Sequence, residues 1–352
     1  MVRLYTIEPM RRLLFTNAML VLMALFPLSQ VRGAEPFAPR VMIVSMFGLE
    51  AAPWLKALTI THEFTVPGLS TAYPEVGCTD DGICQMTTDM GHANAAASIM
   101  ALTFSDQFDL RQTYFLIAGI GGIDPDRGTI GSATWARYAV DVGIAHEIDA
   151  RDMPRDWQDG YFGVLTTSPD QMPRLEYHSE LFQLNEALLQ KAVLLSKQGQ
   201  LEDSDDVRAY RQHYREAAAR QPPQIVQCDT VTSDTWFAGP HLSAHARHWV
   251  ALLTGGRGQY CTTQEEDNAS MAALTRAAKA SRVDLERVAI LRTGSDFDRP
   301  YTGQSSLGSL KQQLAMQGAM RISTDNLMRA GMPLVEAITK NWDGWREGVP
   351  GN

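Results

Sequence analysis

From residue 40 onward, apolar runs of strand length alternate with longer helix-like runs, which restricts the chain to a mostly parallel sheet covered by helices. The run RVMIVSMF (40–47) reads as a buried strand leading into Gly48-Leu49-Glu50 and a helix over 51–58. Residues 82–89 and 91–104 repeat the pair, and the second helix is rich in the small residues that let it lie close on a sheet. Residues 114–120 form the most hydrophobic strand candidate, running into Gly121-Gly122, where glycines let the backbone turn sharply or approach a ligand. A strand pair is expected over 129–142. Residues 145–222 differ in character, being charged and helix-rich over 174–198 and 205–220, and read as a helical insertion covering a cleft edge. Alternation resumes with strands at 224–231, 259–263 and 288–293, helices at 242–253 and 267–280, and a last amphipathic helix over 326–345. The class is α/β, and without repeats or a long linker one domain over 34–352 is expected.

The N-terminus points to export. Arg3, Arg11 and Arg12 precede an apolar run over 13–26, followed by Val31-Arg32-Gly33-Ala34, the pattern of a secretory signal peptide over residues 1–33. The run is shorter than the ~20 residues a helix needs to cross a bilayer. The expectation is an exported protein, periplasmic or secreted, that does not span the membrane once the signal is cleaved. With 31 basic against 40 acidic residues, a net charge of -9 and no obvious Lys/Arg cluster, no electrostatic footprint for DNA or RNA is read, and no nucleic acid polymer is expected as a partner. Cys78 and Cys84 flank the turn-like Thr79-Asp80-Asp81-Gly82-Ile83 and are expected to form a disulfide in an oxidising compartment. Cys228 and Cys261 sit in apolar runs, and spacing does not decide whether they pair.

Polar residues after strands mark where an open α/β sheet binds its ligand. Four such places are Glu50, Gly119 to Gly122, Gln264-Glu265-Glu266-Asp267-Asn268, and Ser295-Asp296. Each also has a bland reading as a helix cap or tight turn. The segments IVSMFGLE (43–50), MGHANAAAS (90–98), IAGIGGI (117–123), GTIGSATWARY (128–138), TSDTWFAG (232–239), TTQEEDNASMAAL (262–274) and ILRTGSDFDRP (290–300) then occur in an order that resembles the nucleoside phosphorylase/nucleosidase superfamily. Within it, the whole of 40–348 most resembles the purine nucleoside permease family.

The resemblance implies a three-layer α/β/α fold with a mixed central sheet, and a small-molecule purine nucleoside as ligand. Arg292-Thr293-Gly294-Ser295-Asp296 is similar to the Arg-x-x-Ser-Asp of methylthioadenosine/S-adenosylhomocysteine nucleosidases, which makes Asp296 the acid at purine N7. Such a carboxyl is expected to have a raised pKa. By the same resemblance Glu50 is the base that activates water, and Asp267, with Glu266 second, clamps the ribose. Trp236 and Phe237 stack on the base, core burial being the alternative for both, and Asp234, Gly121, Gly122, Ser295 and Arg292 complete the binding set. No arginine follows the first strand and Gly119-Ile120-Gly121-Gly122 lacks the phosphorylase arginine and serine, which tilts the reading toward hydrolysis. Phosphorolysis, with phosphate as co-substrate, and a nucleoside-binding role in uptake without turnover stay open. So does oligomeric state, a homodimer entering because related folds often complete their sites across dimers.

No metal or other cofactor is expected. His241, His245 and His248 share a helix, but Leu242 stands where a metalloprotease helix needs glutamate, so these residues, like His92 and His178, read as structural or surface histidines. Ser45, Ser98 and Ser295 lack a nucleophile-elbow context, which disfavours a serine hydrolase.

Overall fold

A computed structural model describes residues 35–351; the signal segment expected over 1–33 lies outside them. Strand β1 (Val41–Ser45) enters helix α1 (Gly48–Ala57), followed by β2 (His62–Thr65), β3 (Glu75–Cys78), β4 (Ile83–Thr87) and α2 (His92–Thr103). The long β5 (Tyr114–Ile123), β6 (Ala133–Trp135) and β7 (Tyr138–Asp141) lead to a hairpin of β8 (Ala145–Glu147) and β9 (Tyr161–Gly163) and to the edge strand β10 (Leu181–Gln183). Helices α3 (Glu186–Ser196) and α4 (Asp205–Arg211) precede β11 (Ile225–Gln227), β12 (Asp229–Thr232), α5 (Pro240–Leu253), β13 (Tyr260–Gln264) and α6 (Asp267–Lys279). The chain ends with β14 (Val288–Phe297), α7 (Ser306–Ala315), α8 (Gln317–Lys340) and α9 (Trp342–Trp345).

The three layers follow from strict alternation in buried strands. Val41 and Ile43 of β1, with Tyr114 and Leu116 of β5, face Trp54 of α1, Leu188 of α3 and Leu327 and Leu334 of α8. Met42 and Val44, with Phe115 and Ile117, face the opposite layer, where Ile99 of α2 meets Met271 and Leu274 of α6. The sheet is mixed. β1 runs parallel to β4 and β5, β5 is parallel to β14, and β13 joins β5 antiparallel.

One detail of pairing creates the site. β1 covers one edge of β5 over Tyr114 to Ile117, and β13 takes the same edge only at Gly122 and Ile123. Between them 118–121 has no strand partner on that edge, while β14 continues along the other. The sheet therefore opens at the C-terminal end of β1.

Three sequence expectations change. Gly121 and Gly122 do not turn the chain; they lie inside β5, where a Cβ on Gly121 would collide with the Thr263 carbonyl oxygen and one on Gly122 would stand 2.8 Å from Thr263 Cγ2. Close approach of β13 demands glycine there, not a left-handed backbone. The 145–222 segment is not a helical insertion throughout. Pro154, Pro169 and Pro173 interrupt its first part, Leu175 and His178 take positive φ, and helix begins only at Glu186, behind the Asn185 cap. α4 likewise stops at Arg211, because Tyr214 is drawn into the core, its hydroxyl donating 2.8 Å to the Arg299 carbonyl. The last helix starts at Gln317 rather than at 326 and breaks at Asn341.

Both cysteine pairs are disulfides, Cys78–Cys84 across the β3/β4 hairpin and Cys228–Cys261 from the residue just before β12 to its parallel neighbour β13. Spans of 6 and 33 residues give loop-entropy stabilisations of roughly 2 and 4 kcal/mol. Replacing Cys228 and Cys261 by serine should therefore lower Tm more than replacing Cys78 and Cys84. Differential scanning calorimetry of the two double variants checks the order, and a larger loss from the hairpin pair would contradict it.

Candidate functional site

A cavity of about 290 Å³ occupies the opening in the sheet. Glu50, Gly121, Gly122, Trp236, Glu266, Arg292, Ser295 and Asp296 line it, together with Glu265, Gln264 and the apolar side chains of Met46, Phe47, Met90, Leu314 and Met320.

Glu50 stands in the first turn of α1, and its side chain folds back into the site. Oε2 accepts from the Met46 amide at 2.7 Å and Oε1 from the Ile120 amide at 2.7 Å, in the part of β5 that lacks a strand partner. Glu50 thus sits in the first turn, where the helix dipole favours a carboxylate, but it caps none of the helix's own amides and binds the site instead. Burial pushes its pKa up to about 7, Arg292 pulling it down and Glu266 adding to the rise. A Cβ on Gly119 would lie 2.5 Å from Arg292 Nη1 and 2.9 Å from Glu50 Oε1, so glycine admits both groups beside β5.

Asp296 is set by a bulge. β14 pairs with β5 in register to Gly294↔Gly121, then skips Ser295 and resumes at Asp296↔Gly122. Unbroken alternation would send Ser295 and Asp296 to opposite faces; the extra residue lets both line the cavity. Ser295 Oγ lies 2.8 Å from Asp296 Oδ1 and 3.1 Å from the Gly121 carbonyl oxygen, the two acceptors for its proton. Burial raises the Asp296 pKa to about 6, held from going higher by Ser295 and the neighbouring Trp236 indole.

Arg292 is the one basic side chain on the cavity wall, and its charge is spent. Nη2 donates to Asp267 Oδ1 at 2.6 Å and to Glu266 Oε2 at 3.2 Å, and Nη1 to the Ile120 carbonyl at 3.0 Å. Burial opposes its charge, but Asp267, Glu266 and Glu50 outweigh that and keep it protonated. Gln264 Oε1 accepts the amides of Glu266 and Asp267 at 2.7 and 2.8 Å and so caps α6. Glu266 Oε1 also accepts from the Gly91 amide at 3.1 Å.

Three residues expected at the site are elsewhere. Asp267 is fully buried against Arg292 and does not line the cavity; adjacent Glu266 does. Phe237 belongs to the core around Tyr138, Val231 and Trp249, whereas Trp236, half exposed, lines the cavity. Asp234 accepts from the His92 amide at 2.7 Å, at the positive N-terminus of α2. Sequence reasoning missed Leu314 and Met320, contributed by α7 and α8, for which no strand-end signal exists.

Among solved structures the chain resembles futalosine hydrolase of Helicobacter pylori, with TM-score 0.52 and 12% identity over 85% of this chain and 98% of that one. It also resembles a putative 5'-methylthioadenosine/S-adenosylhomocysteine nucleosidase of Francisella philomiragia, with TM-score 0.52, 12% identity and coverage of 85% and 99%. At that identity the likeness defines the fold, which is nucleosidase-like. The pattern of the family described as Purine nucleoside permease (NUP) matches residues 38–350, and the chain belongs to that family. A probable purine nucleoside permease of Schizosaccharomyces pombe is 42% identical over 324 residues, covering 88% of this chain and 91% of its own length. The purine nucleoside permease of Candida albicans is 41% identical over 323 residues, covering 90% and 79%.

Proposed function

We propose that this protein is exported, binds purine nucleosides and hydrolyses their N-glycosidic bond, giving the free base and free ribose. The observation that carries the reading is the pair of buried carboxyl groups, Glu50 and Asp296, facing one cavity with pKa values raised to about 7 and about 6. Two such groups are what a displacement needs when water must lose a proton and the departing base must gain one. Trp236 stacks on the purine, and Glu266, with Glu265 beside it, accepts from the ribose hydroxyls. Asp267 acts from beneath, by holding Arg292.

Glu50 takes a proton from a water molecule as the water oxygen bonds to C1' of the ribose, the C1'–N9 electron pair returns to the base, and Asp296 delivers a proton to N7. Positive charge that develops on the sugar is favoured by the surrounding carboxylates. The same acidity disfavours phosphorolysis, because Arg292 has no uncompensated charge to offer a phosphate dianion. The disulfides suit export to an oxidising compartment, which agrees with the signal peptide expected over residues 1–33.

The relatives' name supports a second reading, capture of nucleoside for uptake without turnover. Among the described residues no helix is long and apolar enough to cross a membrane, so on that reading a separate channel carries the nucleoside. Purified protein incubated with inosine, adenosine and guanosine, with and without phosphate, separates the readings by the mass of the sugar. Free ribose at a phosphate-independent rate is expected. Ribose 1-phosphate formed only with phosphate would replace hydrolysis by phosphorolysis, and binding without cleavage would leave the uptake reading.

A further inference from the structure

Just beyond Asp296 the chain enters a buried charged cluster that the cavity does not use. Asp124 and Asp298 are fully buried, and Arg299 Nη1 donates to Asp124 Oδ1 at 2.7 Å, to Ser243 Oγ at 2.9 Å and to Asp298 Oδ1 at 3.1 Å. Arg299 Nη2 reaches Asp126 Oδ2 at 2.8 Å, and Arg247 Nη1 reaches Asp124 Oδ2 at 3.0 Å. Buried ion clusters add little net stability compared with apolar packing, so stability alone is a weak account of this one.

Asp298 has the most consequential contacts. Oδ2 accepts from Ser243 Oγ of α5 at 2.6 Å and from Tyr260 Oη of β13 at 2.8 Å. Its amide donates to the Ile123 carbonyl at the end of β5 at 3.1 Å, and its carbonyl accepts from the Gly239 amide at 2.8 Å. Gly239 closes the loop that carries Trp236, and the other end of that loop is tied by Asp234 to the N-terminus of α2. Asp298 is two residues from Asp296, and Gly239 is three from Trp236. One side chain thus locks the segment bearing the acid, while the same residue's backbone holds the loop bearing the aromatic.

We infer that Asp298 is a positioning residue, which through Ser243, Tyr260 and Gly239 fixes the gap between Trp236 and Asp296 and so sets how a purine is held against its proton donor. The inference rests on the proposed roles of Trp236 and Asp296. A gap fixed in this way is needed because a displacement of about 1 Å in a reacting pair costs on the order of 10²-fold in rate.

The test uses the Ser243→Ala/Tyr260→Phe double variant, which removes both donors to Oδ2 but keeps the ion pairs, together with Asp298→Asn. Asp126→Asn, at the solvent side of the same cluster, is the control. Calorimetry gives the Kd for hypoxanthine, turnover of inosine gives KM and kcat, and a melting curve reports folding. In both test variants Kd and KM should rise by ~10-fold, a change of about 1.4 kcal/mol, with kcat falling as well, while the control matches wild type. A merely structural role would lower the folded fraction and apparent kcat but leave Kd and KM unchanged, and that result overturns the inference. If wild-type protein binds hypoxanthine but cleaves nothing, the hydrolase reading fails and the Kd comparison alone judges the clamp. Wild-type protein that neither cleaves inosine nor binds hypoxanthine would sink both, and protein that cleaves inosine without measurable hypoxanthine binding leaves KM and kcat to judge the positioning role.

Discussion

Asp296→Asn lowers turnover of a purine nucleoside by ~10²- to 10⁴-fold while changing its affinity little, since general acid catalysis supplies a factor of that size. Asparagine keeps the shape and an acceptor for Ser295 Oγ, so the bulge at Ser295 and the cavity wall survive. It cannot release a proton to N7. The loss is expected to be smallest for nucleosides whose base already leaves easily, because such a base needs less help from an acid. Stability should move the other way. The Asp296 pKa is raised on folding from 3.8 to about 6, so the wild-type group favours the folded state fully below its unfolded pKa and loses that contribution as pH rises through about 6. The variant, having no charge to bury, should gain Tm relative to wild type at pH 8 and lose that advantage by pH 4. An inactive variant that is also less stable at pH 8 would mean that the substitution damaged the site. A variant with full activity would remove Asp296 from the mechanism and leave the departing base to be protonated by another group.

The parts of this molecule legible from sequence are those fixed by neighbours along the chain. β1 and β5 are buried on both faces and read as continuous apolar runs, and Glu50 and Asp296 stand out as carboxylates after or at the end of such runs. Choices between adjacent residues were not legible. Glu266 lines the cavity and Asp267 holds Arg292 because Gln264 caps α6 in one particular phase, and the pattern Glu-Glu-Asp carries no trace of that phase. Trp236 and Phe237 part company for a similar reason, the chain turning toward α5 just after them. Long-range pairing was equally hidden. Cys228 finds Cys261 only because β12 and β13 lie side by side, and 118–121 is free for Glu50 only because β1 and β13 divide one edge of β5. Composition misled over the first part of 145–222, where charged, helix-like sequence suggests helix but prolines and left-handed residues impose loops before α3.

Glu50→Gln is the sharper test, because it separates hydrolysis from every rival that leaves Glu50 without a proton to move. A glutamine can still accept from the Met46 or Ile120 amide, though not from both through two oxygens, and one amide faces the new NH₂ group. Turnover should fall by ~10²- to 10⁴-fold, the range for loss of a general base, while hypoxanthine binding persists. The wild-type pH profile follows from the two carboxyl groups together. Glu50 acts ionised and so gains activity as pH rises through about 7, whereas Asp296 acts protonated and loses it as pH rises through about 6. The productive form is therefore a minor species, and kcat/KM should be bell-shaped with its maximum midway between those values. In Glu50→Gln the residual activity should lose its rising limb and simply decline as Asp296 ionises. In a phosphorylase, Glu50→Gln would spare phosphate-dependent turnover, and in a pure binding protein neither variant would produce a pH-rate profile at all. A rising limb that survives the substitution would show that some other group activates the nucleophile, and the pairing of Glu50 with Asp296 would then have to be abandoned.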